Sequence, residues 1–238
     1  MDCKCTAIVL AAGSGKRMSS DIAKQYMDLN GYPVIYYSLK AFEESFVDEI
    51  VLVTAASEIK YCQEEIVKRY CFNKITSVIA GGKERYHSVY HGLCAVSTDT
   101  DYVFIHDSAR PGLTQDILER ALATVKAYHV AIASMPVKDT IKIADEDGFV
   151  VSTPKRSSLY LMQTPQVFEL VSIKRAYEKL ISEEEKVLES GLEITDDAMV
   201  MEEFGEHPVR LCEGSYRNIK ITTPEDLKLI SEYLKENN

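Results

Sequence analysis

TAIVLAAGSGKRM, residues 6–18, joins an apolar run to a turn that contains two glycines. The run at residues 6–10 has the composition of a buried β-strand, and the turn presents backbone N–H groups at a sheet edge. Because glycine lets the main chain approach a ligand closely, such a turn can hold phosphate oxygens. Arg17 in the turn and Lys24 shortly after it add positive charge. These features predict a nucleoside-triphosphate site.

The turn differs from the two commonest phosphate-binding motifs. A P-loop reads GxxxxGK[ST], whereas the residue five positions before Gly15 is Leu10. The dinucleotide fingerprint GxGxxG fits Gly13 and Gly15 but meets Met18 at its third glycine. By itself the turn also fits an ordinary strand-to-helix connection, so other loops have to support the prediction.

Composition limits the classes of protein to which the chain can belong. The 238 residues carry a net charge of −10, which disfavours non-specific binding to nucleic acid. The apolar fraction of 46% is enough for a large core, yet no apolar run is long enough to cross a membrane. The start MDCKC lacks the apolar segment of a signal peptide, and the six cysteines are scattered. We therefore expect a cytoplasmic protein with no membrane or nucleic-acid partner.

Strand and helix patterns alternate along the first part of the chain. Apolar runs predict strands at residues 6–10, 49–54, 75–80, 102–106 and 130–137. Helical periodicity predicts helices at residues 33–45, 57–70, 84–96 and 114–128, with Ser57 and Thr114 as N-caps. The alternation predicts an α/β fold with a single, doubly wound, mostly parallel sheet, and we expect residues 1–238 to form one domain.

The second part of the chain departs from this alternation. Runs at residues 140–144 and 149–153 flank the turn Asp145-Glu146-Asp147-Gly148, which predicts a β-hairpin. A lone hairpin is barely stable in water, so we expect this arm to pack on something, most simply on a second subunit. Runs at 159–162 and 167–168 are expected to return the chain to the body of the protein. Later runs predict short strands at 209–212 and 219–222, and helical patterns predict helices at 170–182, 195–204 and from 223 onward.

Chemistry-bearing residues follow the predicted strand ends. Ligands bind outside the carboxyl ends of the strands in such sheets, and the loops at 11–17, 81–88, 106–111 and 136–140 all lie there. Cations near the glycine turn suit the charge that builds on transferring phosphates. Gly82 and Ser88 suit close approach to a flat base, and Asp107 suits a magnesium ligand beside Arg110. Each loop also fits a purely structural turn.

Two basic positions lie outside these loops. Arg156, at the base of the arm, could bind phosphate through paired N–H groups, and Thr140 opposite it offers a hydroxyl. Both also fit an exposed strand edge. Lys220 falls in a predicted apolar strand, where its side chain faces either solvent or the site; we favour the site.

A series of motifs, in order and over nearly the whole chain, resembles the 2-C-methyl-D-erythritol 4-phosphate cytidylyltransferase family. The motifs are AAGxGxRM (11–18), KQY (24–26), GGxxRxxSV (81–89), HDxARP (106–111), VKDT (137–140), QTPQ (163–166), TDDA (195–198) and NIK (218–220). The resemblance implies transfer of CMP from CTP to a methylerythritol phosphate with release of pyrophosphate, in isoprenoid precursor synthesis.

The resemblance also implies roles for individual residues. CTP contacts are implied at Ala11, Ala12, Gly13, Gly15, Gly82 and Ser88. Catalytic roles are implied for Arg17, Lys24, Arg156 and Lys220. Substrate contacts are implied at Asp107, Arg110, Thr140, Thr164 and Thr195, with Mg²⁺ or another divalent cation at Asp107. A homodimer joined through the arm at residues 138–164 is implied, in which Thr140 and Arg156 reach the partner's site.

The sequence departs from the family pattern at a few positions. Ala23 replaces the usual proline before Lys24, which leaves that loop less restrained. Ser108 is shared with the ribitol-5-phosphate cytidylyltransferases, so ribitol phosphate is an alternative acceptor. A CTP-binding regulatory protein without turnover is an alternative of another class.

Overall fold

The computed structural model describes residues 3–13 and 23–236. Its strands are β1 (Cys5–Ala11), β2 (Asp28–Leu29), β3 (Tyr32–Pro33), β4 (Glu49–Thr54), β5 (Ile75–Ala80), β6 (Tyr102–Asp107), β7 (Val130–Pro136), β8 (Ile143–Ala144), β9 (Val150–Ser152), β10 (Tyr160–Glu169) and β11 (Leu211–Glu213). Its helices are α1 (Val34–Glu43), α2 (Ile59–Tyr61), α3 (Arg85–Ala95), α4 (Gln115–Tyr128), α5 (Leu170–Ser182), α6 (Glu184–Ser190), α7 (Asp197–Phe204) and α8 (Pro224–Lys235). None of these helices is long and apolar enough to span a membrane.

The central sheet has seven strands in the order β11-β7-β10-β6-β1-β4-β5. Neighbouring strands are parallel except β10, which runs antiparallel to both β6 and β7. Side chains alternate between the two faces, so that Ala7 and Val9 of β1 join one core and Ile8 joins the other. Helices α1 and α4 cover the first face, while α3, α5 and α7 cover the second. The predicted doubly wound α/β fold is confirmed.

The predicted hairpin is present with shorter strands than its apolar runs. Strands β8 and β9 pair antiparallel around a turn in which the Gly148 N–H donates to the Asp145 carbonyl over 3.1 Å. Gly148 has φ +85°, a left-handed conformation that glycine adopts without strain. The large apolar side chains of the arm are exposed, and Phe149 retains 72% of its accessible surface.

Some local features differ from the predictions. The runs at 159–162 and 167–168 do return the chain to the body, as one strand, β10, which lies inside the main sheet. The predicted strand at 219–222 is wrong: these residues are irregular, and the Ile221 N–H donates to the Ala109 carbonyl in the loop after β6 over 2.8 Å. Ser57 lies inside a 3-10 turn, and Thr114 occupies the N-cap position of α4 but its hydroxyl bonds the Asp116 carboxylate instead. Periodicity detects apolar runs, but it does not report which neighbour they pair with.

Candidate active site

A cavity of about 390 Å³ opens at the carboxyl ends of β1, β5 and β6. Parallel strands bring their carboxyl ends to one sheet edge, which explains why distant loops meet here. The cavity is lined by many of the residues predicted from the sequence: Ala11, Ala12, Gly13, Lys24, Gly82, Ser88, Asp107 and Lys220. Gly15 and Arg17 lie outside the described residues.

The first wall of this cavity is the start of the glycine turn. The Gln25 side-chain amide donates to the Ala11 carbonyl over 2.7 Å and to the Gly13 carbonyl over 3.2 Å. Gln25 is 2% exposed, so its two hydrogen bonds fix the backbone where β1 ends. Gln25 therefore links the Lys24 segment to the glycine turn, a role that the sequence did not reveal.

The opposite wall is the turn between β5 and α3. The Gly82 N–H donates to the Ser88 hydroxyl over 3.0 Å, which folds the turn back on its own helix. A Cβ at Gly81 would lie 2.6 Å from the Ala12 Cβ, so only glycine allows the two walls to approach this closely.

Positive charge surrounds Asp107 at the end of β6. The Lys220 Nζ lies 2.8 Å from Asp107 Oδ2, the Arg85 Nε lies 3.5 Å from Oδ1, and the Arg110 Nε lies 3.9 Å from Oδ2. Burial alone would raise the pKa of Asp107, but the charges of Arg85, Lys220 and Arg110 hold it well below its ordinary value. Asp107 is therefore ionised, and its carboxylate orders the cations around it.

A second cavity of about 270 Å³ adjoins the first. Its lining includes Arg110, Thr164 and Thr195, all predicted as substrate contacts. The two cavities share Arg85, Asp107 and Lys220. Two anions bound in these cavities would therefore be separated by one cluster of charged side chains.

A buried hydrogen-bond chain holds the boundary of the second cavity. The Asp107 N–H donates to the Thr164 hydroxyl over 3.1 Å, and that hydroxyl lies 3.0 Å from His106 Nδ1. The Asn218 amide donates to the Thr164 carbonyl over 2.8 Å, and Arg110 donates to the Asn218 carbonyl over 3.0 Å. This hydrogen-bond network joins β6, β10 and the segment that carries Lys220. That segment is irregular, and not the strand that we predicted.

Arg85 is a further residue of the site that the sequence prediction missed. Its guanidinium makes paired hydrogen bonds of 2.8 Å to both oxygens of Asp197, whose first oxygen also accepts from the Tyr177 hydroxyl over 2.6 Å. Burial would lower the pKa of Arg85, but Asp197 and Asp107 raise it well above its ordinary value. Arg85 and Asp197 stand in motifs that carry the family resemblance, and only the fold shows that the two residues touch.

Thr140 and Arg156 line neither of these two cavities. Both are exposed at the base of the arm, where an Arg156 N–H donates to the Lys138 carbonyl over 3.2 Å. Their placement leaves their predicted roles dependent on a second subunit.

A doubly wound sheet with a glycine-walled cavity, beside a cation cluster and a second anion-sized cavity, defines a nucleotide-binding enzyme of the nucleotidyltransferase class. The family model for 2-C-methyl-D-erythritol 4-phosphate cytidylyltransferase (IspD) matches residues 5–236. The chain belongs to this family.

Individual relatives agree over the full length. The chain is 52% identical over 231 residues to the 2-C-methyl-D-erythritol 4-phosphate cytidylyltransferase of Lachnospira eligens, covering 97% of this chain and 99% of the relative. It is 44% identical to the protein of the same name from Caldanaerobacter subterraneus, covering 97% and 99%. The crystal structure of 4-diphosphocytidyl-2C-methyl-D-erythritol synthase from Anaerococcus prevotii is similar with a TM-score of 0.83 and 31% identity, covering 98% and 96%.

Proposed function

We propose that this chain transfers CMP from CTP to 2-C-methyl-D-erythritol 4-phosphate and releases pyrophosphate. The observation that carries the proposal is the pair of adjoining cavities that share Arg85, Asp107 and Lys220. An enzyme that joins two phosphorylated molecules needs two anion sites side by side with positive charge between them. The names of the full-length relatives supply the identity of both substrates.

In the proposed reaction, a phosphate oxygen of the acceptor attacks the α-phosphorus of CTP. A new oxygen–phosphorus bond forms, the bond from the α-phosphorus to the bridging oxygen breaks, and that electron pair leaves with pyrophosphate. No covalent intermediate on the protein is required, since positioning and charge stabilisation are enough for phosphoryl-type transfer. Arg17 and Lys24 are proposed to stabilise the charge that develops on the α-phosphate and on pyrophosphate.

The first cavity is proposed to hold CTP. Backbone groups of Ala11, Ala12, Gly13, Gly15 and Gly82, together with the Ser88 side chain, would contact the nucleotide. The close approach of the two walls at Gly81 limits the width available to a base, which favours a pyrimidine over a purine.

The second cavity is proposed to hold the acceptor phosphate. Lys220 lies at its boundary with the first cavity, so its ammonium can contact the acceptor while Asp107 fixes its position. Arg110, Thr164 and Thr195 line the same space and would contact the polyol phosphate.

A divalent cation such as Mg²⁺ is proposed to arrive with CTP. Mg²⁺ takes oxygen ligands and is often held by one or two carboxylates together with substrate phosphates and water. Asp107 places one carboxylate between the two cavities. Lys220, Arg85 and Arg110 already contact its oxygens, so this carboxylate would supply a single ligand in competition with these cations, and the ion's other ligands would come from CTP and water. When bound, the ion would offset charge on the phosphates.

Of the predicted arm at residues 138–164, residues 160–164 lie in β10 of the central sheet, and the projecting part, residues 138–159, is proposed to join two copies of the chain. Ile143, Phe149, Val150 and Val151 are all more than half exposed, which is an unusual apolar surface for a hairpin that contacts little else. Pairing with a second copy would bury these side chains and would bring Thr140 and Arg156 to the partner's second cavity.

The proposed activity is tested by measuring pyrophosphate release with Mg²⁺, CTP and each candidate acceptor. We expect release with 2-C-methyl-D-erythritol 4-phosphate, and little with ribitol 5-phosphate or when ATP replaces CTP. Turnover with ribitol 5-phosphate but not with 2-C-methyl-D-erythritol 4-phosphate would overturn the proposed identity of the acceptor. Tight CTP binding without product from any acceptor would overturn the enzymatic proposal in favour of a regulatory protein.

A further inference from the structure

A cluster of three potential metal ligands lies at the end of the central sheet opposite the candidate active site. His129 stands between α4 and β7, Glu169 ends β10, and His207 precedes β11. Because β10 is antiparallel to β7, its last residue meets the beginning of β7, far along the strands from the cavities. The reaction proposed above uses none of these residues.

The three side chains lie close enough together to share one ion. One ligand atom from each residue lies within 4.8 Å of the other two. His129 Nδ1 is 3.4 Å from Glu169 Oε2, and the two imidazole rings stack with centroids 4.4 Å apart at 18°. A tetrahedral Zn²⁺ with bonds of about 2.0–2.1 Å places its ligand atoms roughly 3.3 Å apart. The histidine–glutamate pair already has this spacing; because the two rings stack nearly parallel, one imidazole has to rotate about its side-chain torsions to aim its nitrogen at the same ion.

The local charges favour a cation. The carboxyl end of α4, a helix from Gln115 to Tyr128, directs its last carbonyl groups toward this edge and carries partial negative charge. In the described part of the chain, Glu169 pairs with no lysine or arginine, and the nearby Arg210 guanidinium lies over the Tyr128 ring, 4.8 Å from its centroid. The carboxylate is therefore available to a metal.

The ligand set selects a class of metal. Two imidazole nitrogens with one carboxylate oxygen suit Zn²⁺ and similar divalent transition metals, whereas Mg²⁺ prefers a shell of oxygen atoms. We propose that His129, Glu169 and His207 bind one Zn²⁺-class ion, with water completing the coordination. The bound ion ties the loop before β11 to the end of β10 and stabilises that edge of the sheet.

The test uses the untagged, full-length protein after removal of metals with a chelator. Titration calorimetry with Zn²⁺ should give one equivalent bound at this site, and thermal unfolding should shift to higher temperature with Zn²⁺ but not with the same concentration of Mg²⁺. Co²⁺ should give an absorption spectrum of nitrogen and oxygen ligation. A thiolate charge-transfer band would instead assign the metal to cysteines and overturn the proposal.

Variants separate this site from other ligands. His207→Ala should weaken Zn²⁺ binding about tenfold or more and abolish the thermal shift. His129→Asn keeps a residue that accepts the left-handed conformation seen there at φ +67°, so its loss of binding would not reflect a broken turn. His91→Ala removes a histidine on α3 and should leave the Zn²⁺ affinity unchanged.

A Zn²⁺ affinity within about twofold of the parent in both His207→Ala and His129→Asn would contradict the site. Unchanged turnover with Mg²⁺ and CTP would show that both variants are folded.

Discussion

At the scale of the residue, Lys220 shows how a single side chain acquires a role. Sequence pattern alone left its direction open between solvent and site. In the fold, its ammonium lies 2.8 Å from a carboxylate that is itself contacted by two arginines. A charge held in this way needs little reorganisation when a phosphate binds, which is the basis of electrostatic catalysis.

We expect Lys220→Ala to lower kcat/KM with CTP and methylerythritol phosphate about 10²- to 10³-fold, because the acceptor phosphate loses a positioned cation. Steady-state pyrophosphate release measures the effect. Lys228→Ala, on the exposed face of α8, is the matched control and should keep the parent activity. Turnover of Lys220→Ala close to that of the control would remove Lys220 from the site.

His106 makes folding depend on pH. Burial lowers the pKa of His106 from 6.5 to about 4, so the folded protein keeps it neutral while the unfolded chain takes up a proton first. The stability that this group contributes is therefore fully present at pH values well above its unfolded-state pKa of 6.5. It is lost as the pH falls toward the folded-state pKa of about 4. The free energy of unfolding should decrease by about 2 kcal/mol from this residue between about pH 7 and pH 5.

Urea unfolding of the parent and of His106→Asn at both pH values measures this contribution. Asparagine keeps a polar group near Thr164 but does not titrate, so the variant should lose that part of the pH dependence. Equal dependence on pH in the two proteins would show that His106 does not cause it.

At the scale of the element, the site depends on how α3, α7 and β10 are placed. Arg85 at the start of α3 bonds both oxygens of Asp197 at the start of α7, and α5 contributes Tyr177 to the same carboxylate. Strand β10 lies between β6 and β7 and carries Thr164 to the Asp107 backbone. These contacts fix the wall between the two cavities.

Asp197→Ala should lower the free energy of unfolding by about 3 kcal/mol, because it leaves the Arg85 guanidinium without its main partner. We place this loss at the lower end of the usual range because the Arg85 side chain keeps 27% of its accessible surface, so water can partly solvate the unpaired guanidinium. Denaturant unfolding measures the loss. Glu65→Ala, which removes an exposed pair with Arg69, should cost less than about 1 kcal/mol. Equal losses in the two variants would show that the buried pair contributes no more than a surface pair.

At the scale of the whole molecule, one chain contains both cavities, yet Thr140 and Arg156, two of the predicted site residues, are on the projecting part of the arm and do not line them. The arm exposes its apolar side chains, and Val151 retains 66% of its surface. A symmetric dimer that exchanged arms would satisfy both observations, since each copy would complete the site of the other.

Mixing two inactive variants tests this arrangement. Lys220→Ala damages its own site, whereas Arg156→Ala damages the site of its partner, so a mixed dimer keeps one intact site. Co-expression of the two variants should recover about a quarter of the parent activity, because half of randomly formed dimers are mixed. No recovery, in a mixture that sedimentation shows to be dimeric, would place Arg156 at its own chain's site.

The state of assembly needs a control of its own. Val151→Asp should convert the dimer to a monomer in sedimentation velocity, since a charge replaces apolar surface at the proposed interface. Leu188→Asp, at a residue with 64% exposure on α6, should leave the dimer intact. A parent protein that sediments as a monomer would contradict the arm's role altogether.

The amino-acid sequence by itself determined the alternation of strands and helices, the hairpin and the set of loops that face one sheet edge. These features follow from local patterns: apolar runs, helical spacing and glycine turns. The loops at 11–17, 81–88 and 106–111 were located in this way, because parallel strands place their carboxyl ends together, whereas the individual CTP contacts within them came from the family resemblance.

Only the tertiary structure decided the rest. The insertion of β10 between β6 and β7, the pairing of Arg85 with Asp197, and the approach of Lys220 to Asp107 join residues far apart in the chain. Local patterns do not encode such contacts, because they depend on how whole elements pack to bury apolar surface and pair buried charges.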